Sequence, residues 1–161
     1  MKKNYHFICW ALLFSICLLV PLPLQAGNGS RLSDGQTLYV PAYSHIYSGA
    51  RDSPFLLTVT LSIRNVDPDH PITITRADYH ATEGKQLKKY VEKPVALGPY
   101  GSTRYIIAES DKTGGSGANF IVQWKADHSV NPPIVESIMI STRAAQGISF
   151  TSRGQVINMD K

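Results

Sequence analysis

The chain has 161 residues, with 16 basic against 12 acidic side chains and a net charge of +4. That excess is too small to make nucleic acid or an anionic membrane surface the expected partner. Both cysteines, Cys9 and Cys17, lie near the N-terminus, so the rest of the chain has no disulfide, thiol nucleophile or thiolate metal site.

The first segment reads MKKNYHFICWALLFSICLLVPLPLQAG. It has a positive start at Lys2 and Lys3, an apolar run from Phe7 to Val20, prolines at 21 and 23, and a small residue at Ala26. This is the layout of a secretory signal peptide cleaved after Ala26. A spanning helix needs about 20 apolar residues, and the run stops at Pro21. The expectation is an exported protein, periplasmic or secreted, with residues 1–26 as signal peptide and no membrane span in the mature chain. Cleavage removes Lys2 and Lys3 and no acid, which lowers the net charge from +4 to +2.

Residues 27–36 are polar and glycine-rich and read as a flexible lead-in. A single domain is then expected over 37–157, with 158–161 as a tail. Its first strand, Thr37–Tyr43, contains Pro41; a proline cannot donate to a ladder, so this strand is expected at a sheet edge. In "FLLTVTLSIR", Leu57, Val59, Leu61 and Ile63 alternate with Thr58, Thr60, Ser62 and Arg64. That period describes a half-buried strand. In "ITITRADYH" the apolar phase moves from Ile72 and Ile74 to Ala77 and Tyr79, which predicts a bulge near Thr75–Arg76. A turn at Glu83–Gly84 sends Leu87–Val91 back as a short strand. Further strands are expected over Ser102–Glu109, Asn119–Ala126 and Ile134–Arg143, the last with Ile134, Ile138 and Ile140 in phase. Ile148–Ile157 follows, interrupted at Arg153–Gly154. No window carries a helical stripe. Seven to eight short strands separated by turn signals predict an all-β, immunoglobulin-like antiparallel β-sandwich.

The stretches "LYVPAYSHIYSG", "LTVTLSIRNVDPDHPITITRADY", "GGSGANFIVQW" and "GISFTSRG" resemble a family of exported bacterial proteins catalogued only as a domain of unknown function. The likeness covers nearly all of 37–157. It implies an exported single-domain bacterial protein and carries over no catalytic residue.

Several segments qualify as candidate sites. In "DKTGGSGANFIVQW", Gly114, Gly115, Ser116 and Gly117 precede the strand headed by Asn119. A phosphate loop needs GxxxxGK[ST] and a following helix; this loop has neither. Consecutive amides could still form an anion nest, although a glycine-rich turn is the favoured reading. Ser116 between glycines resembles a nucleophile elbow only superficially, because an elbow joins a strand to a helix. "DPDH" places Asp67, Asp69 and His70 together as three possible metal donors, with a solvated turn preferred. Tyr39, Tyr43 and Tyr47, with His45 between the latter two, could form a peptide- or glycan-contacting surface or serve as packing. Arg153 in "GISFTSRG" could pair with a carboxylate within the fold or on a partner.

The leading expectation is a non-enzymatic extracytoplasmic domain that binds an envelope protein or other envelope component. It would act through the Thr37–Tyr43 edge or the loops at one end. The alternative is a small anion or metal ion module using loop 111–118 or loop 67–70. An envelope hydrolase is the least favoured reading. No cofactor and no nucleic-acid partner are expected.

Overall fold

The computed structural model describes residues 32–47, 53–142 and 147–159. The expected signal peptide, the start of the lead-in and Arg143 lie outside the described residues, as do residues 160–161. The strands are β1 (Ser33–Pro41), β2 (His45–Tyr47), β3 (Pro54–Leu56), β4 (Thr58–Arg64), β5 (Ile72–His80), β6 (Gln86–Lys89), β7 (Val95–Leu97), β8 (Ser102–Ile107), β9 (Asn119–Val130), β10 (Ile134–Ser141), β11 (Ile148–Arg153) and β12 (Gln155–Met159). The larger sheet has the order β12-β1-β9-β5-β6, with β7 also paired to β5; the smaller has the order β11-β10-β4-β8; β2 and β3 form a pair of their own. Every pairing is antiparallel. The all-β antiparallel sandwich is the fold class that the strand pattern predicts. Eight strands have five residues or more, and β2, β3, β6 and β7 are shorter.

The core follows from period-2 patterning. Leu57, Val59, Leu61 and Ile63 are fully buried. They face Leu38, Val40, Ile72, Ile74, Phe120, Val122 and Trp124, which belong to the same apolar cluster. Each such side chain contributes about 1.5–3 kcal/mol on leaving water. The predicted bulge is present: the β5–β9 register shifts between Ile74 and Arg76. Ile72 and Ile74 before it, and Ala77 and Tyr79 after it, are all buried. The break at Gly154 is present as well. There the chain leaves the smaller sheet as β11 and joins the larger one as β12. The crossing is tight, since a Cβ on Gly154 would lie 3.2 Å from Leu38 Cδ2, Val40 Cγ2 and the Val135 carbonyl oxygen.

Several expectations are corrected. The first strand is not an edge: β1 pairs with β12 on one side and β9 on the other. Pro41 is tolerated because it ends β1 opposite Asn119, beyond the last β12 partnership of Tyr39 with Gln155. The strand also begins earlier, since Ser33 already pairs with Val130. In β10 the phase is the reverse of the isoleucine pattern. Val135, Ser137, Met139 and Ser141 are buried, whereas Ile134 and Ile140 are 39% and 44% exposed. Ser137 Oγ donates across the sandwich to the Pro41 carbonyl, and Ser141 Oγ donates to Glu109 Oε1 at 3.3 Å. An apolar side chain at 137 would leave that carbonyl without this donor. The strand expected in "FLLTVTLSIR" is divided at Leu57, whose amide donates to the Ser44 carbonyl at 2.9 Å. β9 runs past its expected end at Ala126 to Val130.

Candidate functional site

The segment Ala42–Tyr47 and the glycine loop meet at one end of the sandwich. Ala42 donates to the Ala118 carbonyl at 2.8 Å, and the Ser44 amide donates to the Gly115 carbonyl at 3.1 Å. From the other side, the Thr82 amide and hydroxyl both donate to the Gly114 carbonyl, and the Gly117 amide donates to Thr82 Oγ1 at 3.0 Å. The glycines are required by contact. A Cβ on Gly114 would lie 1.8 Å from the Tyr79 hydroxyl, and one on Gly115 would lie 2.3 Å from Thr82 Oγ1. Gly115 also has φ near +79°, a region that favours glycine. The loop is thus a clasp whose carbonyls are turned to Thr82 and Ser44 and whose Gly117 amide is already bonded. Burial, with the Asp111 charge added, pushes the Tyr79 phenol well above its ordinary range.

Of the residues singled out in the sequence, His45 and Tyr47 come together: Nε2 lies 3.2 Å from the phenolic oxygen, and the rings are perpendicular. Tyr43 packs edge-on against Phe150. Ser44 Oγ lies 3.2 Å from His45 Nδ1, a nominal nucleophile–base pair. However, Ser44 is fully buried and its hydroxyl donates to the Gly115 carbonyl. Ser116 is followed by a strand rather than the helix of an elbow. Tyr39 lies mid-β1 opposite Ile121 and Gln155. Asn119 is a buried strand head opposite Pro41 and His80. Arg153 lies on the other sheet, opposite Glu136.

At the far end of β9, "NVDPDH" is a knot of hydrogen bonds. Asn65 Nδ2 reaches the carbonyls of His70, Leu97 and Gly98, and its Oδ1 accepts from the Asp67 amide. Asp67 Oδ1 accepts from the Asp69 and His70 amides, while Oδ2 accepts from the Asn131 amide. The Asn131 amide, then those of Asp69 and His70, hold the Asp67 carboxyl far below the usual carboxylate range, against the opposing effect of burial. Both oxygens are therefore engaged in joining two loops. Among the described residues no three His, Cys, Asp or Glu side chains gather as a metal site.

A third region comes from strand register rather than from any single stretch. On the outward face of the smaller sheet, Arg64 stands opposite Ser102, Ser62 opposite Arg104, and Thr60 opposite Ile106. On the β10 side the same β4 residues face Ile134, Glu136 and Ile138, and Arg153 follows Glu136. Thr60, Ser62, Arg64, Ser102, Arg104 and Ile138 line a depression of about 210 Å³. Ser62 is buried beneath it, accepting from Arg64 Nε at 3.1 Å. Neither Arg64 nor Arg104 has a carboxylate within ion-pair distance among the described residues. Ile106, 52% exposed, lies in the next row. The alternation of Thr60, Ser62 and Arg64 was the visible signal; its β8 counterpart, Ser102, Arg104 and Ile106, becomes adjacent only through the register.

Among solved structures the chain is similar to the crystal structure of Thermotoga maritima 1070, at 14% identity and a TM-score of 0.45, over 83% of this chain and 100% of that one. No curated protein matches it. Residues 35–157 match the family described as protein of unknown function (DUF3124), so the chain belongs to that family, the uncharacterised one that its four stretches resemble.

Proposed function

We propose that this member of the DUF3124 family is an exported, non-enzymatic binding domain of the bacterial envelope, and that it binds through the outward face of its smaller sheet. The observation that carries the reading is the composition of that face. Among the described residues, arginines without ion-pair partners stand among hydroxyls and solvent-exposed isoleucines on the four strands of this sheet. Exposed apolar groups rimmed by charge are characteristic of interaction surfaces. The N-terminal signal layout supports export. The Thr37–Tyr43 edge is set aside as a partner strand, because β1 has neighbours on both sides.

Site-specific photocrosslinkers at Ile106 and Ile140, with controls at Thr37 and Gln123 on the larger sheet, test this in living cells. The expected result is one discrete adduct from the first pair, lost on Arg104→Glu, and none from the controls. Equal labelling from both sheets would defeat the reading. N-terminal sequencing of the cellular protein should begin at Gly27; an intact Met1 would defeat the export part.

A further inference from the structure

We propose that the depression between β4 and β8 is a site for a phosphate monoester group. The inference rests on the binding reading of the same face and adds the chemical class of what is bound. Arg64 pairs with Ser102 and Arg104 with Ser62, so the two guanidiniums are diagonal neighbours across one strand pair. Like charges directly opposite destabilise a sheet, and diagonal neighbours of one sign repel in the same sense more weakly. Among the described residues no carboxylate lies within ion-pair distance of either arginine. The nearest acid by register, Glu136, stands across Ser62 on the β10 side, directly opposite Arg153. An anion from outside the chain would relieve this repulsion.

The donor inventory selects the kind of anion. Arg64 uses Nε on Ser62 and keeps its Nη donors; Arg104 adds a complete fork, and the hydroxyls of Thr60 and Ser102 line the same space. One guanidinium fork already satisfies a carboxylate, which has two oxygens and a single charge. A phosphate monoester has three terminal oxygens and a charge of about −1.5 to −2, which suits two forks and the hydroxyls. The depression, about 210 Å³, has several times the volume of a water molecule at roughly 30 Å³. Ile138 in its lining and Ile106 in the adjacent row give an apolar edge for the carbon that the ester carries.

The test is an amide titration of the ¹⁵N-labelled protein with glycerol phosphate, joined to sedimentation with phosphatidylcholine vesicles with and without phosphatidic acid. Glycerol phosphate is expected to shift residues 62–64 and 102–104 saturably. Arg64→Gln and Arg104→Gln should each weaken binding by about tenfold or more, with Lys93→Gln as a charge-matched control that leaves it unchanged. Sedimentation that depends on phosphatidic acid and on Arg104 would assign the phosphate to a lipid headgroup. Shifts with glycerol phosphate alone would assign it to a soluble monoester. Three results would overturn the proposal: no saturable shift together with no phosphatidic acid dependence, equal weakening by Lys93→Gln, or shifts at these amides with succinate but not phosphate. If phosphate fails while the Ile106 and Ile140 adducts persist, this inference falls and the binding face stands. If phosphate binds while those adducts are absent, only the envelope-partner reading falls.

Discussion

The two loops that stand out in the sequence close opposite ends of β9 by different physical means. Loop 111–118 is held by absence: its glycines let the backbone lie against Tyr79 and Thr82, where a single methyl group would collide. Loop 65–70 is held by presence: one carboxylate, Asp67, collects amides from its own loop and from Asn131. The first clasp should be sensitive to added volume and indifferent to acid, and the second the reverse. The contrast also shows how a glycine cluster and an acid–histidine cluster, both reminiscent of ligand sites, can arise from the need to shut a sandwich.

The largest effect should come from Gly114→Ala. The added methyl cannot coexist with the Tyr79 hydroxyl, and a loss of about 3 kcal/mol in urea unfolding is expected; a change within error would mean that the loop rests elsewhere. Next is Asp67→Asn, which should lower the melting temperature at neutral pH and flatten the acid limb of the stability curve. Because the folded carboxyl is depressed from its ordinary value of 3.8, its contribution is fully present above that value. It is lost as pH falls through the acid range below it. Parallel acid limbs for wild type and variant in unfolding at pH 2–5 would refute the assignment, and Gly114→Ala should leave the slope of that limb intact. Thr82→Val removes the hydroxyl that both donates to Gly114 and accepts from Gly117, and about 1 kcal/mol is expected. Asp111→Ala undoes only an exposed turn around Thr113; a change within about 0.5 kcal/mol would confirm that glycine contact, not the aspartate turn, seats the loop.

Alternation made the central strands legible. β4 was readable because Val59, Leu61 and Ile63 share one face, and the β5 bulge because the phase visibly slips by one residue. The orientation of β10 was not, since Ser137 and Ser141 point inward to meet polar atoms of other segments while Ile134 and Ile140 face solvent. Hydrophobicity alone ranks those positions the wrong way round. Pro41 was a true signal for a missing ladder bond, but it marked the end of an interior strand. The arginine depression was least legible, because β4, β8 and β10 each bring only part of it and adjacency is a property of register. Tyr39 and Arg153 stand out in separate motifs of the sequence, and the fold places them on different sheets.

The passage of the chain through Gly154 has a temporal consequence. Both neighbours of β1 lie far along the chain, one beginning at Asn119 and the other at Gln155. While the polypeptide is still being made, its first strand therefore has no ladder to join, and one flank stays open until the last strand has crossed over. Pairings so distant in sequence slow folding. Closure is thus tied to the arrival of the C-terminal segment, and a chain shortened before Gln155 would leave β1 with a bare edge.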